Sequence, residues 1–226
     1  VSALFVFSLG WMRDTMARNG AEIVKLIPSV VISGSGGGYI AKSAEDAVLE
    51  GGYAQSAYLV AASEWALLAA PGADIAPGVP YDKKRSIRSI PLCAFDDAET
   101  FFANEGAIAS VEYAQGFDAG LFSAEWDAQT LADAAPPVVV SAQSLSLLGL
   151  RLWSSVYLVD ARGDGLVLRC MVAGVYAGQI QAQDGENAVL LSRALLEALQ
   201  AKNDQKTYYM TARFLLDPAK NRDLAQ

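Results

Sequence analysis

Apolar residues in this chain fall into short β-rich runs, broken at intervals by helical stretches with recognisable start and stop signals. Val30-Val31-Ile32 is a β-branched run that leads into Gly34-Ser35-Gly36-Gly37-Gly38, so it predicts a strand followed by a flexible loop. Residues 43–50 predict a short helix capped by Ser43, with Asp46 where a capping box usually places Glu or Gln. Residues 56–70 are apolar with almost no charge, and Pro71, Gly72, Pro77, Gly78 and Pro80 then interrupt the chain. Ile90 to Phe95 reads as a strand, Asp96 as the cap of a helix over 97–105 that Gly106 ends, and 108–114 as an alternating strand.

The second half has sharper punctuation. Pro136-Pro137 stops what precedes it, Val138-Val139-Val140 predicts a buried strand, and Ser141 caps a helix over 142–148 that ends at a left-handed Gly149. Val156–Val159 and Leu166–Val175 form two β-rich runs joined by Asp160-Ala161-Arg162-Gly163-Asp164-Gly165, a hairpin pattern. A helix over roughly 192–202 starts at Ser192, and Thr207–Leu216 is a further strand. Asp217-Pro218 then opens a helix that is cut off at Gln226, so the chain is expected to stop before its parent domain does.

The first twelve residues carry no charge. They are too short to cross a bilayer, which takes about 20 apolar residues, and they lack the basic leader and cleavage site of a signal peptide. Two readings stay open: the last turns of a membrane helix, or a buried helix of the soluble core. Leu9, Met12 and Met16 continue a helical spacing until Gly20 weakens it and Pro28 closes it.

Composition narrows the chemistry. Across 226 residues, 53% are hydrophobic and 19% charged, which suits a globular chain with a real core. The net charge of −8 counts against nucleic acid, since the 17 basic residues are dispersed rather than clustered. The densest basic run, Lys83-Lys84-Arg85 with Arg88, reads as a solvated loop between prolines, with a headgroup or partner contact as the alternative. Histidine is absent, which removes His-based relays, Ser-His and Cys-His pairs and most zinc sites.

The remaining chemical ideas fail residue by residue. The glycine cluster lacks the third glycine of a dinucleotide loop, since position 39 is Tyr39, and has no following Gly-Lys-Ser/Thr. Neither Ser-x-x-Lys nor Gly-x-Ser-x-Gly occurs. A calcium loop starting at Asp160 would need an oxygen ligand where Arg162 stands and a glutamate where Met171 stands. A glycosidase needs two carboxylates facing each other across a cleft; of the acidic groups Asp96-Asp97-Glu99 and Glu125-Asp127, the first is explained by helix capping and a solvated face. Trp11, Trp65, Trp126 and Trp153 suit core or interface packing. Cys170 lies in an apolar run and is read as a buried thiol, with a disulfide to Cys93 as the alternative. No catalytic, cofactor-binding or metal-binding residue is therefore assigned, and the chain is not expected to be an enzyme.

The order of several segments resembles the extracytoplasmic domain of FtsX/MacB-like ABC-transporter permeases. The matching pieces are Val138–Ser141, Leu148-Gly149-Leu150, Val156-Tyr157-Leu158 and Val172-Ala173-Gly174-Val175-Tyr176. Val111-Glu112-Tyr113 through Gly116-Phe117-Asp118 to Leu121-Phe122 resembles the segment before this module. Arg213-Phe214-Leu215-Leu216-Asp217-Pro218 with Asn221-Arg222 resembles its return strand and helix, and Gly10-Trp11-Met12-Arg13-Asp14 resembles a first membrane-helix exit. One departure is Trp153-Ser154-Ser155, where the family commonly has Gly-Asp.

The resemblance implies an α+β fold in two lobes. Residues 27–115 with 205–226 would form a strand-helix-strand lobe, 116–204 an inserted β-rich lobe, and 1–26 the end of a first transmembrane helix or its extension. It implies a membrane-attached, non-catalytic domain on the extracytoplasmic side, transmitting motion from a cytoplasmic ABC ATPase subunit, without a cofactor of its own. The partners it implies are that ATPase, a second permease copy and an extracytoplasmic accessory protein; the cargo would be peptides, antibiotics or lipoproteins. A free-standing extracellular solute- or peptide-binding domain is the alternative.

Overall fold

Pairing between strands distant in the sequence organises the chain. The computed structural model describes residues 29–33, 39–61, 65–69, 86–95, 97–98, 111–132, 134–160, 167–177, 188–202, 208–217 and 220. The strands are β1 (Ser29–Ser33), β2 (Ile40–Ala41), β3 (Ala54–Ala61), β4 (Trp65–Ala69), β5 (Ser86–Ile90), β6 (Leu92–Phe95), β7 (Val111–Tyr113), β8 (Pro137–Ser141), β9 (Ser155–Asp160), β10 (Val167–Tyr176), β11 (Val189–Ser192) and β12 (Tyr208–Leu216). The helices are α1 (Lys42–Glu50), α2 (Ala142–Leu148) and α3 (Arg193–Lys202). The fold is α+β, built on one sheet in the order β1-β12-β3-β6-β11-β8-β10-β9-β4-β5, with β2 beside β12 and β7 beside β10. Strands from 27–115 and 205–226 and strands from 116–204 hydrogen-bond to one another in it.

Chain connectivity forces this sheet to curl. Laid flat, β5 and β6 would stand six strand spacings apart, about 29 Å. Yet Pro91 alone separates Ile90 from Leu92, a reach of at most about 7 Å. The same holds for β3 and β4, which residues 62–64 join. The ladders explain how: β3 pairs β6 (Leu59↔Ala94) and β4 pairs β5 (Trp65↔Ile90) as successive halves of one long hairpin. One half joins β11 through β6, and the other joins β9 through β4, so the sheet returns on itself.

Alternating side chains fill the resulting interior. Leu59, Trp65, Leu67, Leu92, Val138, Val140, Leu158, Val172 and Leu191 belong to one buried cluster, joined by Leu195, Leu196 and Leu199 of α3. The opposite face of the central strands is also covered: Val60, Cys93, Phe95, Val139 and Leu190 pack with Leu121 and Phe122 of a 3-10 turn, Ala119–Ser123. Burial on both faces accounts for the unbroken Val138-Val139-Val140 run. Gly174 lies where β7, β8 and β10 crowd together, and an added Cβ would come within 3.1 Å of both Val111 and Val139.

Local signals set several boundaries as expected. Ser141 caps α2 by accepting from the Ser144 N–H at 2.9 Å, and Gly149 closes it at φ 63°. Ser192 accepts from the Leu195 N–H at the start of α3. β9 and β10 pair antiparallel, as the hairpin pattern requires. Three boundaries differ. The helix expected from Ser43 begins at Lys42 after Ala41, whose side chain has no acceptor to cap it, and Asp46 is engaged by cations. The strand expected over 90–95 is divided at Pro91, which has no N–H for the ladder. The apolar run 56–70 holds two strands of the bent hairpin. The apolar start, the glycine cluster, Lys83–Arg85, most of 97–105, the hairpin turn and the helix after Pro218 lie outside the described residues.

Candidate functional site

β1 and β12, the first and last strands among the described residues, meet at one end of the sheet. β1 and β12 are antiparallel, with Ser29 opposite Leu215 and Ser33 opposite Thr211. The chain therefore arrives at β1 and departs from β12 at the same end of one strand pair. The next pairs along β12 are Ile40↔Tyr209 and Ala41↔Tyr208.

Beside this edge, α1 and α3 are joined by charge. Arg193 donates to Glu45 at 2.6 Å, to Asp46 at 2.6 Å and to Glu197 at 2.8 Å. Lys42 bridges Asp46 and Glu197, both at 3.0 Å. Glu45 is fully buried, and such burial of a carboxylate requires a matched cation. Burial alone would raise the pKa of Asp46, but hydrogen bonds and charge from Lys42 and Arg193 outweigh it and hold the carboxyl below its ordinary value. Burial opposes the charge on Lys42 too, and its hydrogen bonds to Asp46 and Glu197 more than compensate, so its pKa rises. The Tyr209 hydroxyl donates to Glu197 at 3.4 Å; burial, then the negative charges of Glu197 and Glu45, push its pKa up. Three carboxylates and two cations are thus linked across two helices. Residues this far apart in the chain carry no local signature of their meeting.

The sequence-singled residues scatter. Cys93 and Cys170 are buried thiols in different clusters, so the disulfide alternative is not realised. The Tyr58 hydroxyl donates to Cys93 Sγ at 2.8 Å, while burial pushes the Cys170 thiol pKa far up and leaves it protonated. Asp160 is buried at the end of β9. Asp127 caps a turn by accepting from the Gln129 and Thr130 N–H groups, which lowers its pKa. Trp65 is a core residue and Trp126 packs against the core. Trp153 differs: it is 53% exposed, stands at φ 71° and meets Phe117 edge-on at 5.5 Å. Its left-handed backbone falls where the resembled family commonly has glycine, so the turn forms despite the departure. Among the described residues, no group of three or more His, Cys, Asp or Glu could hold a metal ion. No described helix is long and apolar enough to cross a membrane.

No protein-family profile matches the chain, and no curated protein matches it. Among solved structures, it is similar to a crystal structure from Porphyromonas gingivalis described as a domain of a candidate permease protein. The identity is 13% and the TM-score 0.40, with 76% of this chain and 66% of that one covered. The chain thus spans slightly less than two thirds of that structure's length.

Proposed function

We propose that this chain is the extracytoplasmic domain of an ABC-transporter permease subunit of the FtsX/MacB-like kind, a non-catalytic module that transmits ATPase-driven motion to the handling of peptides, antibiotics or lipoproteins. The observation that carries the reading is the antiparallel pair of entry and exit strands, Ser29 opposite Leu215. A domain inserted between two membrane helices needs both connections to reach the same base, and this pair supplies that. The ordered segments that resemble the family support it: β8, α2 with its Gly149 cap, β9 and the Gly174-bearing β10 occupy consecutive places in the fold.

A mechanical role suits the way charge is used. The Lys42–Glu45–Asp46–Arg193–Glu197 cluster is spent on holding two helices together beside the entry edge, an arrangement for stiffness rather than for proton transfer. Its partners would be a cytoplasmic ATPase, a second permease copy and an extracytoplasmic accessory protein. The test is to express the full-length parent gene with the ATPase encoded beside it and purify from membranes. Co-purification of the two, with ATPase activity altered by deletion of residues 29–217, is the expected result. A parent that encodes no membrane span, or that never associates with an ATPase, sinks the proposal.

A further inference from the structure

We infer that α1 is an ionic latch: shared carboxylates clip it to α3, and neutralising them frees α1 while the sheet keeps its fold. Glu45 is the one fully buried residue of α1. The apolar hold of this helix comes from Val48 and Leu49, which are partly buried against the cluster containing Ile40, Ala57 and Leu59. At nine residues α1 is too short to persist alone in water, where helices below about 12–15 residues are marginal. By contrast, α3 buries Leu195, Leu196 and Leu199 in the core. Charge therefore carries a larger share of the docking of α1 than of α3.

The placement of the charges makes the clip conditional. Asp46 Oδ1 lies 3.0 Å from the Lys42 ammonium and 2.6 Å from the Arg193 guanidinium. Glu197 Oε1 is shared in the same way, at 3.0 Å from Lys42 and 2.8 Å from Arg193. Each oxygen thus bridges two cations, and the like charges of Lys42 and Arg193 stay close only while those oxygens are negative. Glu45 adds a third carboxylate on Arg193, and from β12 the Tyr209 hydroxyl donates to Glu197. Tyr58 of β3 and, opposite it, Arg213 of β12 stand on the other face of the sheet, and Lys220 lies beside Gly52 at the far end of α1. Against the opposing effect of burial, hydrogen bonds and charge from Lys42 and Arg193 hold the Asp46 carboxyl below its ordinary value. Its contribution is therefore complete above the ordinary carboxylate value and disappears as pH falls through the lowered one. The latch is closed at neutral pH and opens in acid, below about pH 4. None of this depends on the permease reading.

Hydrogen exchange of the 226-residue chain, corrected for the intrinsic pH dependence of amide exchange, compares α1 with β8 from pH 7 to pH 3. The expected result is that α1 loses about tenfold or more of its protection below about pH 4 while β8 keeps its own. At pH 7, Asp46→Asn combined with Glu197→Gln removes both shared charges and should bring the same selective loss. Adding Lys42→Met to that double variant removes the repulsion between cations and should restore part of the protection. Loss of protection in α1 and β8 together overturns the inference, because the helix then has no release of its own. So does a double variant in which α1 stays as protected as in the wild type. A triple variant no better protected than the double one overturns the clip through shared oxygens.

Discussion

The curled part of the sheet and its terminal edge are built to different standards. In the first, β8 and its neighbours are buried on both faces and tied by ladders that close through the bent hairpin. In the second, β1 has β12 as its sole neighbour among the described residues and exposes Val30 and Ile32, and the charged α1–α3 junction lies beside it. The contrast separates two jobs. Packing in the curled sheet fixes the shape, while on the proposed reading the edge would carry the connections to the membrane.

The largest expected effect comes from emptying the interior. Trp65 is fully buried where the bent hairpin meets β9, so Trp65→Ala should cost about 3–5 kcal/mol in chemical denaturation. A loss below about 1 kcal/mol would mean that this ladder does not close the sheet.

Next comes the junction. Arg193→Met strands the buried Glu45, and breaking a buried ion pair from one side costs about 3 kcal/mol. Adding Glu45→Gln should recover part of that loss, and a double-mutant cycle measures the coupling. If Arg193→Met behaves like an ordinary surface change, the junction contributes no stiffness.

A smaller effect appears with pH. Burial raises the folded-state pKa of Cys170, so its stabilising contribution is complete below the ordinary thiol value and declines as pH rises beyond it. Stability should therefore fall above about pH 8.5, and Cys170→Val should flatten the first part of that fall. Denaturation midpoints from pH 7 to 10 provide the check, and a profile unchanged by the substitution would contradict it. The acid side runs the other way: Asp46 is depressed, so its contribution holds above the ordinary carboxylate range and disappears as pH drops through its lowered value. The least effect is expected at α2, where Ser141→Ala removes a cap worth about 1 kcal/mol, read from the denaturation midpoint.

These ranks mirror what the sequence makes legible. Ser141, Gly149 and the valine run are read correctly because a cap, a left-handed terminus and a buried strand are each set by neighbours within a few residues. The α1–α3 junction is hidden because Arg193 meets Glu45 and Asp46 across most of the chain, and a capping-box reading of Asp46 competes for the same residue. The bend is hidden too, since an apolar run over 56–70 does not reveal that its two halves face different strands. Of the entry edge, the sequence supplies the two strands and their β-branched character; their antiparallel pairing emerges with tertiary structure.

The most direct test of the permease reading is sidedness in the full-length parent. Leu147 on α2 is 58% exposed, while Cys93 and Cys170 are buried and should not compete for label. With Leu147→Cys in intact cells, a membrane-impermeant maleimide should label the protein without permeabilisation. Labelling that appears only after the cells are opened would place the domain on the cytoplasmic side and contradict the proposal.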